Sequence, residues 1–150
     1  MEKEIFTTNS EDETISLGFK MAKRLKKGDV VAFTGDLGAG KTEFIKGICS
    51  YFKVDEIVTS PTFTIINQYN GTAFNSDISI YHLDLYRINN IEELIEIGFD
   101  DCINYEESIK LIEWADNAGI KLQNSDYKIH FILSEEFENN RIIEITGNKN

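Results

Sequence analysis

Gly35-Asp36-Leu37-Gly38-Ala39-Gly40-Lys41-Thr42 fits the pattern G-x-x-x-x-G-K-[ST] at each fixed position. Ahead of it, Val30-Val31-Ala32-Phe33 is a short apolar run of the buried-strand type. Behind it, Glu43-Phe44-Ile45-Lys46-Gly47-Ile48 carries helical spacing. Strand, loop and helix in that order make the pattern a phosphate-binding loop. Its glycines let the backbone wrap around phosphate so that successive N–H groups converge on the oxygens. A helix beginning near Lys41 points its positive end at the same anion. Lys41 is expected to reach the β- and γ-phosphates, and the Thr42 hydroxyl to ligate magnesium. Asp36 is an acid beside a polyphosphate; it either faces solvent or orients a neighbour.

The chain has 150 residues, enough for a single domain over 1–150 with one good core. No apolar run approaches the roughly 20 residues of a membrane span. Met1-Glu2-Lys3-Glu4 lacks the basic-then-apolar character of a signal peptide, so a cytoplasmic location is expected. Cys49 and Cys102 are isolated and read as two buried thiols, not a zinc site or a disulfide framework. The net charge of −11 comes from 26 acids against 15 Lys and Arg, with no basic run beyond Lys26-Lys27. A protein that grips nucleic acid unaided presents a basic face. Autonomous RNA or DNA binding is therefore not expected, and a protein partner suits this surface better.

Ser10-Glu11-Asp12-Glu13 forms a capping box. Ile15, Gly18, Met21, Ala22 and Leu25 follow at helical spacing, with Gly28 as the stop. Glu4 to Thr8 reads as a strand before that helix. Phe63 to Tyr69 and Ser79 to Leu85 read as strands around a polar turn from Asn70 to Asp77. Ile91 to Ile97 reads as a helix ended by Gly98, Leu111-Ile112 as a buried strand, and Ala115 to Ile120 as a polar connection or helical turn. Tyr127 to Leu133 and Ile142 to Ile145 are alternating strands joined by an acidic loop from Ser134 to Arg141, and Gly147 to Asn150 looks frayed. The fold class is α/β: a P-loop NTPase-like three-layer sandwich with a mixed, mostly parallel central sheet and antiparallel hairpins at its edges.

A phosphate loop needs a carboxylate at another strand end to hold magnesium or its water. Asp84, in Tyr81-His82-Leu83-Asp84-Leu85-Tyr86-Arg87, and Glu113, after Leu111-Ile112, both qualify. His82, Asp84 and Tyr86 alternate and so share one face if the strand continues. His82 itself reads as a structural histidine, and Arg87 as a phosphate neutraliser or a surface ion pair.

These residues resemble a known family. The loop, then Thr59-Ser60-Pro61-Thr62-Phe63, then His82-x-Asp84-x-Tyr86-Arg87, then Ile112-Glu113-Trp114-Ala115, match TsaE in order and spacing. TsaE is the small bacterial ATPase of tRNA threonylcarbamoyladenosine synthesis, and the strand and helix before the loop also look like that family. The resemblance implies ATP and Mg2+ as cofactors. Lys41 and Thr42 would bind phosphates and metal, Glu113 would be the second magnesium ligand, and Asp84 the acid that orients the attacking water. Ser60 to Phe63 resembles the family's switch-like segment, with Thr62 near the γ-phosphate and Trp114 close to the nucleotide. The base would lie between the N-terminal segment and the far C-terminal loop, which points to Thr8, Asn9 and Arg141. The implied partner is the TsaB–TsaD complex, whose turnover ATP hydrolysis would support. Gly119-Ile120-Lys121-Leu122-Gln123 departs from the family's frequent Leu-Pro after Glu-Trp.

The alternative is a small-molecule kinase with the same loop. Three scattered arginines (Arg24, Arg87, Arg141) and no lid-length insertion argue against it. A guanine-nucleotide switch would need Asn-Lys-x-Asp after a strand, and Asn148-Lys149 stands at the chain end. A static scaffold without turnover differs from an ATPase only in rate.

Overall fold

Ser10 caps the first helix as its spacing requires: its hydroxyl accepts the Glu13 N–H at 3.1 Å, while the Glu13 carboxylate takes the Asn9 N–H at 3.1 Å. In the computed structural model, which describes residues 2–36, 38–61, 65–122, 124–134 and 140–147, this helix, α1, spans Glu11–Ala22 and follows strand β1, Lys3–Thr8. The remaining strands are β2 Val30–Gly35, β3 Ile66–Ala73, β4 Ser76–Asp84, β5 Ser108–Glu113, β6 Tyr127–Leu133 and β7 Arg141–Gly147. The other helices are α2 Lys41–Tyr51, α3 Ile91–Glu96 and α4 Phe99–Ile103, and a 3₁₀ segment runs over Ala115–Leu122.

The seven strands form one mixed sheet in the order β1-β7-β6-β2-β5-β4-β3. The central four, β6-β2-β5-β4, are parallel, and the antiparallel pairs β1–β7, β6–β7 and β3–β4 lie toward the edges. All six residues of β5 are buried, as a strand covered on both faces must be. Alternation sorts the core into two layers. Val31, Phe33, Leu111 and Phe131 pack with Phe44, Ile45 and Ile48 of α2 on one face. Ala32, Leu83 and Ile112 pack with Leu94 of α3 and Phe99 of α4 on the other.

α1 and α2 meet at backbone contact. A Cβ on Gly18 would lie 2.1 Å from the Phe44 carbonyl oxygen, and one on Gly47 would lie 2.0 Å from that of Ile15. Mid-helix glycine costs helix propensity, so these two are there for the crossing.

Several boundaries differ from the sequence reading. α1 stops at Ala22, and Gly28 (φ 92°) closes the loop after it instead of the helix. The polar stretch from Asn70 to Asp77 is not a loop: β3 runs through it and turns at Phe74-Asn75, both at positive φ (55° and 61°), pairing Ala73 with Ser76. Gly71 has a packing role there, because a Cβ would sit 2.7 Å from the Phe52 carbonyl. Gly98 ends α3 and also begins α4, which the sequence reading missed. Gly147 belongs to β7, opposite Tyr127. Burial pushes the Cys49 thiol up to about 12, whereas Cys102 is only half-buried, so the expectation of two buried thiols holds for one. Phe63, and 135–139 of the acidic loop, lie outside the described residues. Among the described residues, no helix is long and apolar enough to cross a membrane.

Gly47→Ala should destabilise the protein by about 3 kcal/mol, because neither helix backbone can yield without unpacking its face. A shift of the urea midpoint checks it; an unchanged midpoint would mean that the helices do not cross this closely.

Candidate functional site

Three adjacent parallel strands end together at the site. Phe33 of β2 pairs with Glu113 of β5, and Glu113 pairs with Asp84 of β4. The phosphate-loop sequence leaves β2 at Gly35 while Glu113 and Asp84 close β5 and β4, so register alone brings all three to the carboxyl edge where α/β sheets bind ligands.

Gly35 (φ 123°) starts the loop where β6 passes, and a Cβ there would meet the Phe131 carbonyl oxygen at 2.1 Å. Only glycine fits. Asp36, left open by the sequence, is an organiser of the loop: its N–H donates to the Phe131 carbonyl at 3.3 Å and its carboxylate accepts the Leu133 N–H at 3.3 Å. Its carbonyl accepts the Ala39 N–H at 3.2 Å. Gly38, Ala39 and Gly40 carry the turn into α2, whose cap Gly40 has φ 99°. Leu37 lies outside the described residues.

Lys41 is 5% exposed. Its ammonium donates to the carbonyls of Gly35 (2.8 Å) and Asp36 (3.0 Å) and sits 4.1 Å from the centre of the Trp114 ring. Burial pulls the Lys41 pKa below its ordinary value, opposed by the carboxylates of Glu113, Asp116, Asp84 and Asp36. An anion on the loop would return the solvation that burial removes. Trp114 holds φ 56°, a left-handed backbone rare for a bulky residue, and its ring also lies 4.9 Å from that of Tyr86.

The Thr42 hydroxyl lies 3.3 Å from each oxygen of Glu113, so the two hard-oxygen groups named from sequence face each other across the loop's base. Glu113 is 3% exposed and also meets His82 Nε2 at 2.6 Å. Asp84 Oδ2 accepts the Ser60 hydroxyl at 2.5 Å, and Oδ1 accepts the Tyr86 N–H at 2.9 Å. The strand ends at Asp84, so Tyr86 does not continue the face of His82 and Asp84; it is exposed in the following turn beside exposed Arg87. Thr62 lies outside the described residues.

The three residues named for the base lie at one end of the β1–β7 pair but differ in access. Arg141 reaches toward the loop, donating to the Gly38 carbonyl at 3.5 Å, and lines a cavity of about 280 Å³ with Ser10, Glu11, Thr14, Gly40 and Glu43. Thr8 pairs with Arg141 across β1–β7 but is buried, its hydroxyl 2.8 Å from that of Thr14. Asn9 is exposed and does not line the cavity. Sequence reasoning gave no site role to Tyr69, Asn67 or Thr59, which gather behind His82; the turn read from Asn70 to Asp77 was too long to set the register that places Asn67 opposite His82.

Residues 8–143 match the family described as threonylcarbamoyl adenosine biosynthesis protein TsaE. The chain belongs to the TsaE family. A protein of Treponema pallidum with that family's name is 32% identical over 92% of this chain and 96% of its own length. The TsaE of Bacillus subtilis is 34% identical over 93% of this chain and 83% of its own. That of Rickettsia conorii is 42% identical over 73% of this chain, which spans 60% of that longer relative. The crystal structure of Bacillus subtilis YdiB superposes with a TM-score of 0.73 at 28% identity, covering 99% of this chain and 87% of that one. The TsaE family assignment places the chain in threonylcarbamoyladenosine biosynthesis, a tRNA modification pathway.

Phosphate on the loop would compete with the Gly35 and Asp36 carbonyls for Lys41 and draw the ammonium off Trp114. Since Trp114 is the chain's sole tryptophan, ADP should change the intrinsic emission, and Lys41→Met should abolish that response. ADP binding seen by calorimetry with no spectral change would contradict the geometry.

Proposed function

We propose that this chain is a magnesium-dependent ATPase that binds the TsaB–TsaD complex and supports its turnover in threonylcarbamoyladenosine formation. The observation that carries this reading is the meeting of Thr42 and Glu113 at 3.3 Å beside Lys41, with Asp84 one strand away. Among the described residues, no group of three or more His, Cys, Asp or Glu forms a self-sufficient metal cage. Magnesium at a phosphate site asks for less: one or two protein oxygens, with phosphate and water completing the shell. Thr42 and Glu113 are that pair, and when bound there the ion would neutralise charge on the β- and γ-phosphate oxygens.

The chain's own groups supply the rest. The loop N–H groups and the amino end of α2 bind the phosphates, and Lys41 balances their charge. Asp84 orients the attacking water once the Ser60 hydroxyl leaves Oδ2. A partner that shifts the connector at Thr59-Ser60-Pro61 would free that oxygen, so turnover by the protein alone should be slow and the partner should stimulate it. The arginines agree: Arg24 pairs with Glu4 at 2.7 Å, Arg87 lies in an exposed turn, and Arg141 lies against Gly38, so a transition-state cation would come from movement or from the partner. The net charge of −11 suits protein contacts better than direct RNA contacts.

The test separates binding from chemistry. Asp84→Ala should keep ATP binding and lose hydrolysis by about 100-fold or more, while Lys41→Ala should lose binding itself. Equal loss of binding and turnover in Asp84→Ala would remove the role assigned to that carboxylate.

A further inference from the structure

His82 has no exposed surface, and both of its ring nitrogens have partners. Nε2 meets Glu113 Oε2 at 2.6 Å, and Nδ1 lies 3.1 Å from the Tyr69 hydroxyl. That hydroxyl is also 3.2 Å from the Thr59 carbonyl, to which the Asn67 amide donates at 3.3 Å. Thr59 precedes Ser60, the residue bonded to Asp84. A continuous chain of hydrogen bonds thus joins Thr42, Glu113, His82, Tyr69 and Thr59.

A carboxylate at Nε2 takes that N–H, which leaves Nδ1 of a neutral imidazole as an acceptor. Tyr69 has one hydroxyl hydrogen and two acceptors for it, Nδ1 and the Thr59 carbonyl. Where the connector sits therefore bears on how His82, and through it Glu113, is held.

Resting on the magnesium–nucleotide reading of this site, we infer that His82 and Tyr69 are positioning residues that aim the Glu113 carboxylate at Thr42 and couple it to the connector through Thr59. Neither touches nucleotide; each acts through Glu113. Outer-shell partners of a ligating carboxylate set its orientation, and their loss weakens metal binding.

The experiment is a calorimetric titration of ADP in EDTA and at graded magnesium, with thermal unfolding as a folding check. In His82→Asn the amide falls short of Glu113; metal-free ADP affinity should be unchanged while half-saturating magnesium rises about tenfold. His82→Gln, whose amide reaches the Nε2 position, should restore most of the wild-type requirement. Tyr69→Phe deletes one oxygen from a 3% exposed side chain, and should shift the requirement the same way by about threefold. If His82→Asn does not fold, Tyr69→Phe decides. An unchanged magnesium requirement in the folded variants overturns the inference, as does equal loss of metal-free and metal-dependent binding, the mark of a structural role alone. Wild-type protein whose ADP affinity ignores magnesium would instead overturn the metal reading on which the inference rests.

Discussion

A carboxylate inside a protein must have donors around it, and Glu113 is the group on which this site turns. It is 3% exposed at the end of the fully buried strand β5, where an unpaired charge would cost several kcal/mol. Three elements provide for it. α2 brings the Thr42 hydroxyl, β4 brings His82, and the parallel register of β2, β5 and β4 holds all of these at one edge of the sheet. The arrangement sets the Thr42 hydroxyl against the Glu113 carboxylate, two hard oxygen groups that would suit a divalent cation.

The loop depends on equally tight constraints. Gly35 is forced by the β6 backbone, and Asp36 ties the loop to Phe131 and Leu133. α2 in turn is fixed by α1 through the glycine crossing at Gly18 and Gly47. The capping box at Ser10 thereby has a functional consequence, since it starts the helix that seats the helix carrying Lys41 and Thr42. Lys41, held among carbonyls and an aromatic face, is an ammonium short of solvation.

Much of this was legible in the chain. The loop, its strand and its helix follow from one stretch of residues, and Asp84 and Glu113 stood out as acids at the ends of apolar runs. What escaped was information that only tertiary contact supplies. Asn70-Gly71 has the composition of a turn, yet the glycine serves a close approach to Phe52 and the turn falls at Phe74-Asn75. The overlong turn left open the register setting Asn67 opposite His82, and with it the link between the Glu113 carboxylate and the connector. Thr8 shows the same limit: the resemblance set it with Arg141, its partner across β1–β7, but no local pattern says that its hydroxyl is spent on Thr14.

The most direct measurement is ATP hydrolysis by the pure protein in magnesium, with and without purified TsaB–TsaD. Turnover should be slow alone and rise markedly when the partners are added, with no acceptor required. No stimulation by the partners, together with turnover that demands a small-molecule phosphoryl acceptor, would contradict it.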